Sequence, residues 1–141
     1  MEIHVNVGAY SDAPHERLRA AVRHTLEDGG RSGEMSVTLV GDDEIEALNA
    51  EYLDWEGVTD VIAFSLGAPD EVLGDVYICA DQARRQSLEQ GVPLEEELVR
   101  LSVHGVLHVL GHDHPDGAER MSSPMFDIQE RLVREVFSDA R

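Results

Sequence analysis

LVRLSVHGVLHVLGHDH, residues 98–114, holds both the centre of the fold and most of the chemistry. Between Leu98 and Leu110 apolar residues fall on every side of a helical wheel. A helix with that pattern is the buried central helix of its domain, not a surface one. Pro93 opens the segment and Gly111 stops it, so the spacing predicts a helix over Leu94–Leu110. The same stretch carries four of the seven histidines: His104, His108, His112 and His114.

Working outward, the flanking segments supply layers to pack on that helix. Ile3, Val5 and Val7 alternate with polar residues, as in a half-buried strand. Asp12 and Pro14 open a helix with Leu18, Val22 and Leu26 on one face, ending at Gly29–Gly30. Ser36–Val40 reads as a strand. Asp42 or Asp43 is expected to cap a helix carrying Ile45, Leu48 and Tyr52. Thr59–Leu66 and Asp75–Cys79 read as strands joined by the loop GAPDEVLG. Asp81 is expected to cap a short helix, and a last helix after Pro124 aligns Met125, Ile128, Leu132 and Val136. The expected fold class is α+β: a single domain over residues 1–141, with a small mixed sheet of about four strands packed with helices around a central metal-binding helix.

Composition sets limits. The 141 residues suit one domain, and 42% are hydrophobic, enough for a core. No apolar run approaches the roughly 20 residues of a membrane span, and MEIHVNVGAY is not a secretory signal. The expectation is a soluble, cytoplasmic protein without a membrane partner. Cys79, the single cysteine, reads as a small buried hydrophobe. Asp and Glu number 29 against 11 basic residues, for a net charge of −18, and every basic residue is Arg. Taken alone, that charge argues against nucleic-acid binding. An acidic, Lys-free surface also suits a high-salt cytoplasm, where long-range repulsion is screened. Equal folding stability in dilute and molar salt would remove that second reading.

The histidines are spaced for a metal. His104 and His108 stand four apart on the predicted helix, one turn and about 40° from each other. Both imidazoles can converge on one ion at the ~2.0–2.1 Å of zinc–nitrogen bonds. Gly111 can turn the chain back with a positive φ and bring His114 to the same ion. Three protein ligands leave a fourth position for water, the arrangement of catalytic zinc. Such a site also accepts nickel, cobalt or copper. His112 is expected to face solvent or to support a ligand, and Asp113 to orient an imidazole or serve the turn. His4, His15 and His24 are scattered and carry no assigned function.

The spacing is that of the metalloprotease signature H-E-x-x-H-x-x-G-x-x-H, but Gly105 stands where that chemistry needs its proton-handling Glu. HGVLHVLGHDH instead closely resembles the H-G-x-L-H-x-x-G-x-D-H signature of the YbeY family of endoribonucleases, or rRNA maturation factors. LNAEY (48–52), TDVIAF (59–64) and LGDVYI (73–78) are similar to further family segments, in the same order. The resemblance implies a zinc-dependent, single-strand-specific RNA hydrolase. Its implied work is maturation of the 3′ end of small-subunit rRNA and ribosome quality control, with rRNA, the small ribosomal subunit and assembly proteins as partners. It carries His104, His108 and His114 over as metal ligands. Leu53 stands where the family commonly has an Arg implicated in activity, Ala63 where it has Ser and Ser65 where it has Pro. Candidates for the catalytic proton acceptor are Asp60, Asp75 and Asp113; a turn bond for Asp60 and a sheet-edge cap for Asp75 are their simpler roles. Thr59 carries no assigned role. Arg84 and Arg85 could touch phosphate or pair with surface acids. Two alternatives remain: a zinc metalloprotease-like hydrolase, and a non-catalytic zinc-stabilised ribosome-assembly factor.

Overall fold

The computed structural model describes residues 1–114 and 117–138. Its elements are β1 (Glu2–Asn6), α1 (His15–Asp28), β2 (Gly33–Val40), α2 (Asp42–Tyr52), β3 (Val61–Ser65), β4 (Val72–Cys79), α3 (Ala80–Gln90), α4 (Leu94–Val109), a 3-10 helix (Gly117–Ser122) and α5 (Pro124–Ser138). The sheet order is β1-β2-β4-β3. β1–β2 and β2–β4 are parallel and β3–β4 is antiparallel, so the sheet is mixed and the α+β expectation holds.

The alternating pattern of each strand divides the molecule into two unequal cores. Ile3, Val5, Met35, Val37, Leu39, Val76 and Ile78 point to one face, which α1 and α4 cover, with α5 packed on those two helices. Leu18, Val22 and Leu26 of α1 are fully buried there, at the i, i+4, i+8 spacing that made the helix legible. Each such side chain stabilises the fold by roughly 1.5–3 kcal/mol. On the opposite face α2 packs its Ile45 with Val40, Ile62 and Cys79. α4 runs through the larger core, and every residue from Glu97 to Leu107 except Arg100 is buried.

Three local expectations are corrected. The loop after β3 is shorter than GAPDEVLG, because Val72, Leu73 and Gly74 pair with Gly33, Glu34 and Met35 and extend both strands. Neither Asp42 nor Asp43 caps α2. Its N-cap is Gly41, whose N–H donates to Glu44 Oε1 at 3.2 Å. Asp81 does not cap α3, which starts directly from β4. Its carboxylate accepts from the Asp42 N–H at 3.0 Å and so serves the start of α2. A carboxylate caps whichever free helix-terminal N–H lies in reach, and sequence order does not decide which one that is.

Candidate metal centre

α4 presents His104 and His108 on one side, and Gly111, at φ +100°, turns the chain so that His114 returns to them. That is the positive φ expected of this glycine. The ring centroids are 4.6 Å apart for His104–His108, 5.1 Å for His104–His114 and 5.0 Å for His108–His114. Their ligand nitrogens lie within 4.8 Å of one another. The Nε2 atoms of His104 and His108 are 3.1 Å apart. Two nitrogens sharing a tetrahedral ion at ~2.0–2.1 Å stand about 3.3 Å apart, so the spacing fits a metal.

A chain of hydrogen bonds aims His104. Arg100 donates to both oxygens of Glu130, from Nε at 2.8 Å and Nη2 at 2.9 Å. Glu130 then accepts from Gln129 Nε2 at 3.0 Å. An ionised carboxylate only accepts, so this contact fixes the Gln129 amide with its oxygen toward His104. That oxygen lies 2.7 Å from His104 Nδ1, which must therefore carry the proton. The Nε2 lone pair is left pointing at the other two rings, as a metal ligand requires. Burial raises the Glu130 carboxyl, but the bonds from Arg100 and Gln129 outweigh it and the net shift is downward. His104 is pushed down to about 4, chiefly by burial, with His108, Arg120 and His114 adding to the shift and Gln129 opposing it. His108 is lowered too, first by burial. Both imidazoles are thus held neutral at ordinary pH.

Gly105 has a steric reason. A Cβ there would come within 2.5 Å of Val76 Cγ1 and 3.3 Å of Val61 Cγ2, so α4 touches the sheet where its backbone is bare. A glutamate could not occupy the site without prising α4 from β4.

The three histidines line a cleft of about 200 Å³ with Thr59, Asp60, Val61, Ala63, Gly105 and Arg120. Of the candidate acids, Asp60 faces this cleft, and its backbone carbonyl accepts from the Cys79 N–H at 2.8 Å. Asp75 does not reach it. Val76 faces α4, and the alternation of β4 turns Asp75 to the opposite face beside Tyr77. Asp113 is exposed, and its Oδ1 accepts from the His114 N–H at 2.9 Å, which is turn chemistry. His112 stays outside the cluster. Arg85 is bidentate on Asp42, at 2.7 and 3.0 Å, and Arg84 also lies away from the histidines. Arg120, which the sequence did not single out, is the guanidinium at the cleft. Among the described residues no carboxylate pairs with it. Leu53 ends α2, exposed, and lines no part of the cleft.

Residues 4–136 match the family model for Endoribonuclease YbeY. The chain belongs to the YbeY family. The YbeY endoribonuclease of Carboxydothermus hydrogenoformans is 46% identical over 118 residues, covering 82% of this chain and 81% of its own. That of Staphylococcus carnosus is 45% identical over 138 residues, covering 92% and 87%. The solution structure of TM1509 from Thermotoga maritima superposes with a TM-score of 0.71 at 30% identity, over 99% of this chain and 91% of that one. Family membership makes the protein a hydrolase of the nuclease class. Gly105 is where this fold brings α4 against the sheet.

Proposed function

We propose that residues 1–141 act as one zinc-dependent endoribonuclease domain that cuts single-stranded RNA and matures the 3′ end of small-subunit rRNA, within ribosome quality control. On this reading His104, His108 and His114 hold the metal, and rRNA in the small ribosomal subunit, with its assembly proteins, is the cytoplasmic partner. The observation that carries it is the convergence of three imidazoles beside a guanidinium that has no carboxylate partner among the described residues, in a chain of this family. Zinc bound there supplies Lewis acidity, drawing charge from a phosphoryl oxygen and lowering the pKa of water.

The chain's own residues do the rest. Arg120 neutralises phosphate charge at the mouth of the cleft and compensates locally for a net charge of −18. Asp60, on the wall facing the histidines, takes the proton of the attacking water. Gln129 keeps His104 in its ligand tautomer. Gly105 leaves the step between the two helical histidines without a side chain, which removes the general base of the protease alternative.

Purified protein would be incubated with single-stranded RNA, duplex RNA and casein, with zinc and after chelation. Cleavage of the single strand alone, abolished by chelation and by His108→Ala, is expected. Casein cleavage would revive the protease. No cleavage, with a melting temperature that collapses on chelation, would leave a zinc-stabilised assembly factor. In cells lacking the protein, small-subunit rRNA with unprocessed 3′ ends should accumulate.

A further inference from the structure

The cleft at the histidines is small, about 200 Å³, but it opens into a second cavity of about 760 Å³ through three shared residues: Asp60, His104 and Arg120. The first can take a phosphodiester group and water. The second lies in the range of sites that bury a small organic ligand, roughly 300–1,000 Å³.

The lining of the larger cavity is unlike a phosphate site. Its other guanidinium, Arg100, is consumed by Glu96, Glu97 and Glu130 at 2.8–3.1 Å. Glu89, Glu97 and Glu130 add negative charge to the walls. The one cation without a carboxylate partner among the described lining residues, Arg120, sits at the junction with the metal cleft. An anion is therefore favoured at the junction and repelled from the interior. What the interior offers is neutral. Gln82, Gln86 and Gln90 stand at i, i+4 and i+8 on one face of α3, a row of amides with donors and acceptors together. Gln82 Oε1 accepts from Arg85 Nε at 2.8 Å, Gln82 Nε2 donates to Gln86 Oε1 at 3.2 Å and Gln86 Nε2 to Glu97 Oε2 at 2.7 Å. Gln82 and Gln86 are thus held in place, each with a second amide N–H left to donate, while Gln90 is exposed at the end of the row. Apolar walls come from half-buried Phe126 and from Met121, which is 68% exposed.

We propose that this cavity is a nucleobase subsite. The nucleotide flanking the scissile phosphate turns its uncharged base inward, between Phe126 and Met121 and against the glutamine row, while its phosphate stays at Arg120 and the histidines. Unpaired bases are bound in this way, by stacking plus hydrogen bonds at their edges. A base locked in a duplex cannot enter, which makes the cavity the source of single-strand preference. The inference rests on the proposed action on single-stranded RNA.

The test is binding, measured by fluorescence anisotropy on the zinc-loaded protein. The probes are a labelled six-nucleotide single-stranded RNA and the same strand made abasic at each position in turn, with strand integrity checked afterwards. Wild-type protein should lose about 5- to 100-fold in affinity when one particular base is missing. Phe126→Leu, which keeps the volume but not the aromatic face, should bind the intact strand as weakly as the wild type binds that abasic one. Gln90→Ala and Met121→Ala, both at exposed positions, give the same comparison should the Phe126 variant fail to fold. Affinity indifferent to every abasic position, or positional discrimination unchanged in all three variants, overturns the subsite. Because the readout is binding, a protein that discriminates bases but cuts nothing would end the nuclease reading and leave the subsite standing. Cleavage without base discrimination would do the reverse.

Discussion

Among the described residues three clusters bring three possible metal ligands within 4.8 Å of one another; one, Glu2, His4 and Glu34, is exposed, and the two that reach the interior are His104, His108 and His114, and Asp42, Cys79 and Asp81. They differ in what their donor atoms are already doing. In the second cluster Asp42 gives both oxygens to Arg85 and accepts from the Cys79 thiol at 3.3 Å. Asp81 is spent on the Asp42 N–H, and burial, with Asp42 adding to it, pushes the Cys79 thiol up to about 11. That thiol keeps its proton, and a metal needs the thiolate. In the histidine cluster the hydrogen bonds run the other way. Gln129 occupies the nitrogen of His104 that a metal would not need and so directs the other toward the cluster. Proximity is common to both clusters; what distinguishes the first is that the support from Gln129 falls on the far nitrogen of His104 and leaves its Nε2 facing the other rings.

The largest effect should follow from writing the protease residue into the helix. Gly105→Glu forces a side chain against Val76 and buries a carboxylate without a partner, a loss of at least about 4 kcal/mol. Urea unfolding that showed a well-folded variant within about 1 kcal/mol of wild type would refute the steric account. Next, His108→Ala should lower zinc affinity on the order of 10³-fold in a chelator competition, while Asp42→Asn leaves it unchanged. Zinc retained in the first variant, or lost in the second, would reverse the assignment of the two clusters.

The third effect is on pH. His104 titrates at about 4 in the folded chain and near 6.5 when unfolded. Between those values the unfolded chain binds more protons, so stability falls as pH drops through the window and levels off below it. This group contributes at most about 3 kcal/mol. Chelated wild-type protein and His104→Gln should diverge in unfolding free energy between pH 6.5 and 5, above the range where most carboxylates titrate. Parallel curves would mean the imidazole is not buried as described. Gln129→Ala should cost 10- to 100-fold in zinc affinity, the effect of a residue that orients a ligand. An affinity within twofold of wild type would show that His104 needs no such support. The smallest change is Cys79→Ala, about 1 kcal/mol of stability with no effect on zinc; a zinc deficit there would make the second cluster a metal site after all.

Much of the centre could be read from the chain because its three histidines lie within eleven residues. Helical geometry and one glycine turn are local rules, and they place His104, His108 and His114 without knowledge of the rest. Its supports are not local. Gln129 comes from α5, 25 residues after His104, and Glu130 is held by Arg100 from α4. One signal was available: Gln129 falls on the buried stripe of α5 with Met125, Leu132 and Val136, and a polar residue in such a stripe asks for a partner. Glu97, buried against Arg100 and Gln86, is a second case. The separation of Asp60 from Asp75 was half legible. Alternation along β4 puts Asp75 opposite Val76, but which face meets α4 is decided by packing. Arg120 lies in a 3-10 turn with no periodic signal. The net charge of −18 pointed away from nucleic acid because a sum over the surface says nothing about one cleft.

The contact at Gly105 also bears on how such a chain can change over time. Nothing larger than hydrogen fits between the two helical histidines, so a lineage holding this fold cannot reach H-E-x-x-H chemistry by a single exchange. β4 would first have to withdraw from the helix, at the expense of the core that holds the histidines in register. The neighbouring reaction class is one letter away in sequence and a refolded interface away in structure.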